Sequence, residues 1–356
     1  MREKVKNFWQ IIAAAILFLT SFLGMAGARK IVGFADWYGM RIYPLLAGSI
    51  GRICSIFSVS VAEFGLYLLI TGIAAYGIRH RRSPGIFLKN GVFLVSVLTF
   101  LYVINCGINY SRTPLSHTMD LEVRDSSEEE LYRLCEFLTG QVTGASEIAG
   151  DRITSTKALT FKEAWRLGHD GVKAMEKLGR SYPALGGYYP NPKPVQISWI
   201  LSIQQLSGIY SPFTVEANFN RNMTPYNIPH TVCHELSHLK GFMREDEANF
   251  AGYLACVESD SPEFQYSGYL MGWIYATNAL YRENPESYFE LYNRLPQTVL
   301  EDLNANSMFW DQYEGKVAET ATKVNDTYLK LHQQKDGVKS YGRVVDLMLA
   351  YYRFSL

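Results

Sequence analysis

Residues 8–28 read FWQIIAAAILFLTSFLGMAGA and contain no formally charged side chain. Two similar runs follow: residues 53–78, ICSIFSVSVAEFGLYLLITGIAAYGI, and residues 91–108, GVFLVSVLTFLYVINCGI. A helix that crosses a membrane needs about 20 predominantly apolar residues, and all three runs are long enough. Each run is also flanked by Arg or Lys, as spanning helices commonly are. The sequence therefore predicts an α-helical membrane anchor of three transmembrane helices over residues 1–109.

The charges between these runs predict an orientation. The basic cluster at residues 79–89 should stay in the cytoplasm, which places the N-terminus inside and residues 110–356 outside. Residues 29–52 oppose this rule, because they would lie outside yet carry four basic residues and one acid, Asp36. Glu63 falls in the middle of the second run, where a lone carboxylate is expected to face another helix.

Residues 110–356 contain no further apolar run and are predicted to form a separate domain. The chain has 34 Lys and Arg residues and 34 Asp and Glu residues, so its formal net charge is zero. This balance argues against a nucleic-acid-binding protein, which usually has a basic excess. Hydrophobic residues make up 48% of the chain, which argues against an acidic disordered protein.

The second domain is predicted to be mainly α, an α+β fold with a small sheet. Thr160 and Glu163 have the spacing of a capping box, so a helix is expected from there to residue 178. Residues 195–206 and 208–220 alternate apolar and polar side chains and are predicted to be strands. Other helices are predicted at residues 126–139, 228–239, 244–258, 310–331 and 341–354, and from residues 261 and 284 onward.

Residues 234–238 read HELSH, which is the HExxH pattern. On a helix, His234 and His238 lie on one face, so both imidazoles can bind a single Zn²⁺. Glu235 lies further round the helix, where its carboxylate can act as general base on a water activated by the metal. Apolar neighbours give this helix a side to bury. The pentapeptide also arises by chance, so an accidental match in a structural membrane protein is the alternative.

The residues that follow can supply a third ligand, which a catalytic zinc site needs. Gly241 can provide the left-handed C-cap that ends the motif helix. Residues 244–250, REDEANF, would then begin a second helix folded back against the first. The residues alone leave open whether Glu245, Glu247 or neither carboxylate completes the site.

The stretch 245–249, EDEAN, fits the ExxAN pattern and resembles the gluzincin zinc peptidases. This resemblance implies that Glu245 is the zinc ligand and that Asn249, one turn later, orients a ligand histidine. The gap between the motif and Glu245 is shorter than in most gluzincins. The spacing HExxHxxG also resembles the metzincins, but Arg244, at the position of their third ligand, cannot bind a metal.

The chain as a whole is similar to the bacterial membrane-protein family catalogued as domain of unknown function 3810. The resemblance rests on the three apolar runs, the zinc motif and the segments that read NYSRTPL (109–115), PFTVEAN (212–218), HELSHLKGFMREDEANF (234–250) and DGVKSYGRVVDLMLAYY (336–352). It covers nearly the full length and implies a membrane-anchored zinc metallopeptidase with a zincin-like domain.

Two further features of a peptidase have weaker candidates. A donor for the oxyanion is needed, and residue type alone suggests Tyr226, His332, Tyr341 and Arg343. An edge strand before the motif helix could pair with the substrate backbone. Residues 213–219 are the candidate for that strand.

The sequence therefore predicts zinc-dependent hydrolysis of peptide bonds at the extracytoplasmic face of the inner membrane. The expected cofactor is Zn²⁺, and the expected partners are a peptide or protein substrate and the lipid bilayer, with no nucleic acid. One alternative is a catalytically silent zincin-fold sensor or binding protein. Another is a zinc amidase that acts on cell-wall peptide.

Overall fold

The structure is a computed structural model that describes residues 2–149, 159–332 and 343–355. The chain divides into two compact units. The first unit comprises Met1–Thr113 together with Ser211–Glu216, and the second comprises Pro114–Tyr210 together with Ala217–Leu356.

The first unit contains three long apolar helices: α1 (Arg2–Lys30), α4 (Val61–Arg79) and α5 (Pro84–Asn105). All three are long and apolar enough to cross a membrane, which confirms the predicted number of apolar helices. Helix α1 packs along α5, where Trp9 and Phe93 meet edge to face with ring centroids 5.8 Å apart.

Two short helices, α2 (Phe34–Arg41) and α3 (Tyr43–Cys54), fill the link between the first two long helices. The predicted second span from residue 53 is therefore wrong at its start, because α4 begins only at Val61. The side chain of Ser60 caps α4 by accepting a hydrogen bond from the Glu63 N–H at 3.0 Å. Glu63 consequently lies in the first turn of α4 and not in the middle of a span.

Ser211–Glu216 belong to the first unit although they follow α5 by about a hundred residues. The buried Glu216 carboxylate accepts hydrogen bonds from Val61 N (3.1 Å) and Ala62 N (2.7 Å). These two donors are in the first turn of α4, where a helix has unsatisfied N–H groups and a positive dipole end. The Asn105 side chain also donates to Pro212 O at 2.8 Å.

The second unit is mostly helical and has one large core. In this core α12 packs on α7, and α10 packs on α8 and α11. The capping box predicted at Thr160 is present, and it opens α8. The helices of this unit are α6 (Leu115–Thr118), α7 (Glu128–Ala149), α8 (Phe161–Ser181), α9 (Trp199–Ser202), α10 (Asn227–Leu239), α11 (Glu245–Val257), α12 (Pro262–Glu283), α13 (Pro285–Tyr292), α14 (Gln297–Asp311), α15 (Lys316–Leu331) and α16 (Val344–Tyr352).

A small mixed sheet accompanies these helices, with strand order β1-β3-β2. The strands are β1 (Lys193–Pro194), β2 (Gly208–Ser211) and β3 (Glu216–Phe219). Strands β1 and β3 run parallel, with Lys193 opposite Asn218 and Pro194 opposite Phe219. Strand β3 therefore lies in the centre of the sheet, and β2 lies at one end.

Three predicted elements differ from the structure. The strand at 195–206 is wrong, because the chain turns there into α9 and the Ser198 hydroxyl hydrogen-bonds back to Val195 O. The strand at 208–220 is two strands, β2 and β3, separated by a turn in which Val215 has a φ of 51°. The helix at 310–331 is broken between α14 and α15, at Gly315, whose φ is 147°.

Candidate metal centre

The HExxH motif lies on α10, which is buried along nearly its whole length. Only His234 is partly exposed among the residues Asn227–Leu239. Helix α8 can lie close because residue 171 is glycine: a Cβ there would stand 2.2 Å from Val232 Cγ1. The motif helix is therefore held in the core, as its apolar flanks predict.

The end of α10 fixes the second histidine. Gly241 has a φ of 87°, which confirms the predicted left-handed position after the helix. Gly241 N donates to His238 O (2.8 Å) and Phe242 N donates to Ser237 O (3.2 Å), the two hydrogen bonds of a Schellman motif. This turn brings Phe242 O to 2.8 Å from His238 Nδ1. With the proton on Nδ1, His238 Nε2 keeps its lone pair for a metal.

Helix α11 starts after this turn and packs closely on α10. A Cβ at Gly252 would stand 3.1 Å from His234 N and 3.2 Å from His230 O, so the two backbones nearly touch at this position. The close packing brings the first residue of α11, Glu245, next to the motif. Glu245 Oε2 lies 3.4 Å from His234 Nε2, and Glu245 Oε1 lies 3.8 Å from His238 Nε2.

His234, His238 and Glu245 form a cluster that can hold a metal ion, in which the ligating atoms all lie within 4.8 Å of one another. Ligands held tetrahedrally at a Zn–N distance of about 2.0–2.1 Å stand about 3.3 Å apart. The distance of 3.4 Å from Glu245 to His234 already matches that value, and the distance of 3.8 Å from Glu245 to His238 exceeds it only slightly. Two imidazoles and one carboxylate are also a common ligand set of catalytic zinc. The residues present therefore fit a zinc ion.

Asn249 supports the first histidine from one turn along α11. Its Oδ1 lies 2.7 Å from His234 Nδ1, so the proton sits on Nδ1 and Nε2 is left for the metal. Tyr275 on α12 donates a second hydrogen bond to the same oxygen at 3.2 Å. His230 Nε2 lies 3.2 Å from the backbone oxygen of Asn249. Asn249 is thus held by three side chains.

Tyr275 and His230 are the site residues that sequence reasoning missed. His230 stands four residues before His234, a spacing that places both on one face of a helix and could have drawn attention to it. Tyr275 lies on another helix, 26 residues from Asn249, and no local pattern marks it.

Glu235 is 4% exposed, and within the described residues its Oε2 has no hydrogen-bond partner. Burial raises the pKa of Glu235 to about 8. The positive charge of His234 opposes this increase, and the negative charge of Glu245 adds to it. Strand β2 lies directly beside this carboxylate: a Cβ at Gly208 would stand 2.5 Å from Glu235 Oε1. Only glycine at residue 208 leaves room for the carboxylate in this position.

The electrostatics of the two motif histidines differ. Burial, with the nearby charge of His234, lowers the pKa of His238 to about 4, so its imidazole is neutral at pH 7. Burial also opposes protonation of His234, but hydrogen bonding to Glu245 and the charge of Glu245 outweigh it and raise the pKa of His234. A metal ion at the cluster would compete with that proton.

Glu247 and Arg343 are engaged in other contacts. The buried Glu247 carboxylate accepts hydrogen bonds from Leu115 N (2.9 Å) and Arg244 Nη1 (3.1 Å), and it is not part of the cluster found among the described residues. Arg343 Nε donates to Asp246 Oδ2 at 3.0 Å. Of the two candidate third ligands, the structure brings Glu245 to the histidines and turns Glu247 away.

The other proposed oxyanion donors remain predictions. Tyr226 is fully buried and packs edge to face against Tyr266, with centroids 6.4 Å apart. His332 follows α15, and its Nδ1 lies 2.7 Å from Tyr328 O. Tyr341 lies outside the described residues.

The expected edge strand at 213–219 is wrong. Strand β3 is flanked on both sides by other strands, so it is not an edge. The strand at the end of the sheet beside the motif is β2, which includes Gly208.

Comparisons with known proteins add one relationship. No curated protein and no solved structure matches the chain. The model of the family described as "protein of unknown function (DUF3810)" matches residues 38–349. Because this match spans most of the sequence, the chain belongs to that family.

Proposed function

We propose that the protein is a membrane-anchored, zinc-dependent peptidase. The observation that carries this proposal is the cluster of His234, His238 and Glu245 with the buried Glu235 beside it, whose Oε2 has no hydrogen-bond partner among the described residues. A buried carboxylate oxygen without a hydrogen-bond partner is costly. Such a cost is expected where a catalytic group waits for its substrate and metal.

Each residue has a distinct role in this proposal. His234 Nε2, His238 Nε2 and the Glu245 carboxylate would hold the zinc ion, and Asn249 would keep His234 in the required tautomer. When bound, zinc would supply Lewis acidity, polarising a carbonyl and lowering the pKa of water toward about 7. Glu235 would take the proton of the attacking water and pass it to the leaving amine.

Strand β2 offers a place for the substrate backbone. It ends the sheet beside Glu235, and Gly208 keeps the strand close to that carboxylate. An extended peptide could add to such a strand, with its scissile bond held near the base. This arrangement supports a peptide as the substrate class.

We further propose that the second unit lies outside the cytoplasm. The basic cluster at residues 79–89 favours a cytoplasmic link between α4 and α5, which leaves the C-terminal end of α5 on the other side. The substrate would then be a peptide or protein at the extracytoplasmic face of the inner membrane. A gluzincin-like zincin fold for the second unit belongs to the same proposal.

The test uses the full chain in detergent, with elemental analysis for zinc and mass spectrometry of a digested peptide library. We expect about one zinc per chain, lost in the double variant His234→Ala/His238→Ala and kept in the control His169→Ala, whose histidine is exposed. Glu235→Gln should keep zinc and lose hydrolysis.

Each other outcome would replace the proposal with a different one. No zinc in the wild type, after zinc is supplied and the excess removed, would mean that the HExxH match is accidental. Zinc without hydrolysis of any peptide would indicate a silent binding protein. Hydrolysis confined to cell-wall peptides would identify an amidase of that substrate class.

A further inference from the structure

Residues 31–57, which link α1 to α4, expose an unusual number of large apolar side chains. Two short helices, α2 and α3, make up most of this segment. A soluble protein rarely exposes so much contiguous apolar surface unless something covers it. The side chains that are more than half exposed are Ile31, Val32, Trp37, Met40, Leu45, Ile53, Ile56 and Phe57.

The opposite sides of α2 and α3 are packed against the rest of the first unit. The Tyr38 hydroxyl donates to Ile104 O at 2.8 Å, which ties α2 to the end of α5. The buried positions are mostly small: they are Ala35, Tyr38, Gly39, Tyr43, Ala47, Gly48, Gly51 and Cys54. Apart from Tyr38 and Tyr43, the residues that face the protein are small, and large apolar residues face outward. This arrangement is the reverse of what water favours.

The charges of the same segment are strongly biased. Exposed basic residues stand at Arg41 and Arg52, and Arg29 and Lys30 precede the segment at the end of α1. The only acid between residues 29 and 57 is Asp36, whose carboxylate accepts hydrogen bonds from the N–H and hydroxyl of Thr113 at 2.9 and 2.7 Å. The outward surface is therefore both apolar and basic.

We propose that residues 31–57 lie in the membrane interface and bind anionic lipid headgroups. The segment begins directly after one membrane-length helix and ends three residues before the next, so each of its ends lies beside a helix long enough to cross a membrane. Helices of 8 and 12 residues are about 12 and 18 Å long, too short to cross a core of about 30 Å. Interfacial helices typically combine apolar side chains, aromatic rings and basic residues.

This proposal also accounts for the basic residues that oppose the positive-inside rule. Their side chains would be held at lipid headgroups by the apolar face, whichever side of the membrane the segment occupies. The inference does not depend on zinc or hydrolysis, so it stands or fails separately from the proposed peptidase.

The first test measures the depth of the segment in the bilayer. The variants Met40→Cys and Leu45→Cys of the full chain are labelled with a fluorophore and reconstituted in phosphatidylcholine vesicles brominated on the acyl chains. All five native cysteines are buried, so labelling is selective. We expect both labels to be quenched by the brominated lipid, while a control label at Lys162→Cys, exposed on the second unit, is not.

A label at residue 40 that aqueous iodide quenches and brominated lipid does not would overturn the proposal. Protection of the label from both quenchers, with cross-linking between chains, would also overturn it and indicate contact with a second copy.

The second test measures the preference for charged lipid. Arg41→Gln/Arg52→Gln should reduce the affinity for phosphatidylglycerol about fivefold for each charge removed, with binding of phosphatidylcholine unchanged. Native mass spectrometry of retained lipid gives both values, and Arg133→Gln, exposed on the second unit, is the matched control. Equal retention of phosphatidylglycerol by all three proteins would refute the role of the basic residues.

Discussion

Replacing Asn249 by alanine should weaken zinc binding without removing any ligand. In the structure its Oδ1 is the acceptor for His234 Nδ1 at 2.7 Å and for the Tyr275 hydroxyl at 3.2 Å. The alanine variant leaves the imidazole N–H without that acceptor in a buried place. It also frees the ring to rotate or to adopt the other tautomer, which would put the proton on the ligating nitrogen.

The size of the effect follows from these contacts. Leaving a buried donor unsatisfied costs about 1–3 kcal/mol, and each 1.4 kcal/mol changes an equilibrium constant tenfold. Loss of a partner that orients a metal-binding histidine typically costs about 10–100-fold in metal affinity. We therefore expect the dissociation constant for zinc to rise about 10–100-fold in Asn249→Ala. Asn249→Asp should bind zinc as well as the wild type, because a carboxylate oxygen can accept the same hydrogen bonds.

The assay is a competitive titration of the full chain in detergent against a chromophoric zinc chelator. Circular dichroism of the metal-free variants serves as the folding control. Zinc affinity of a folded Asn249→Ala variant within about twofold of the wild type would refute the role assigned to this side chain. Equal weakening in Asn249→Asp would show that shape at this position matters and hydrogen bonding does not.

Three further substitutions test other parts of the structure. Gly208→Ala should abolish hydrolysis while zinc content stays the same, because the new Cβ would occupy the place of the Glu235 carboxylate; retained peptidase activity would contradict this. Asp302→Asn should reduce the pH dependence of stability. Burial raises the pKa of Asp302 from 3.8 to about 6, although the hydrogen bond from Tyr266 opposes this increase. The wild type therefore loses stability as pH rises through about 6. Denaturation of both proteins from about pH 4 to 7 should show the variant gaining about 1–2 kcal/mol relative to the wild type, and parallel curves would refute it. Glu216→Gln should destabilise the first unit by about 1–2 kcal/mol, since a neutral amide has one acceptor for two N–H groups, and thermal unfolding in detergent measures this.

The features predictable from sequence are those determined by nearby residues. The motif helix and its left-handed Gly241 lie within one short stretch, so their spacing predicts them. The choice of Glu245 over Glu247 as third ligand needed the resemblance to the gluzincins, because the residues alone left it open. The three long apolar helices follow from composition. In the same way, the capping box at Thr160 needs only residues three apart.

The features that sequence could not reveal depend on contacts between distant residues. Tyr275 reaches the site only because α12 packs beside α11, and no pattern in its own helix indicates this. Strand β3 is central because it also pairs with β1, whose residues lie more than twenty positions earlier in the chain. The sequence does not predict α2 and α3, because most of their outward residues are large and apolar and do not follow the amphipathic pattern expected in water.

The position of Glu216 has a consequence for how the protein is made. The first unit is composed of two stretches, so the ribosome must synthesise about a hundred residues beyond α5 before the carboxylate that caps α4 exists. Assembly of this unit is therefore completed late, once Ser211–Glu216 have reached the N-terminal end of α4. A fragment that stops at Thr113 would lack this cap, and a fragment that begins at Pro114 would carry an unpaired Ser211–Glu216 loop. Expression of the intact chain avoids both defects.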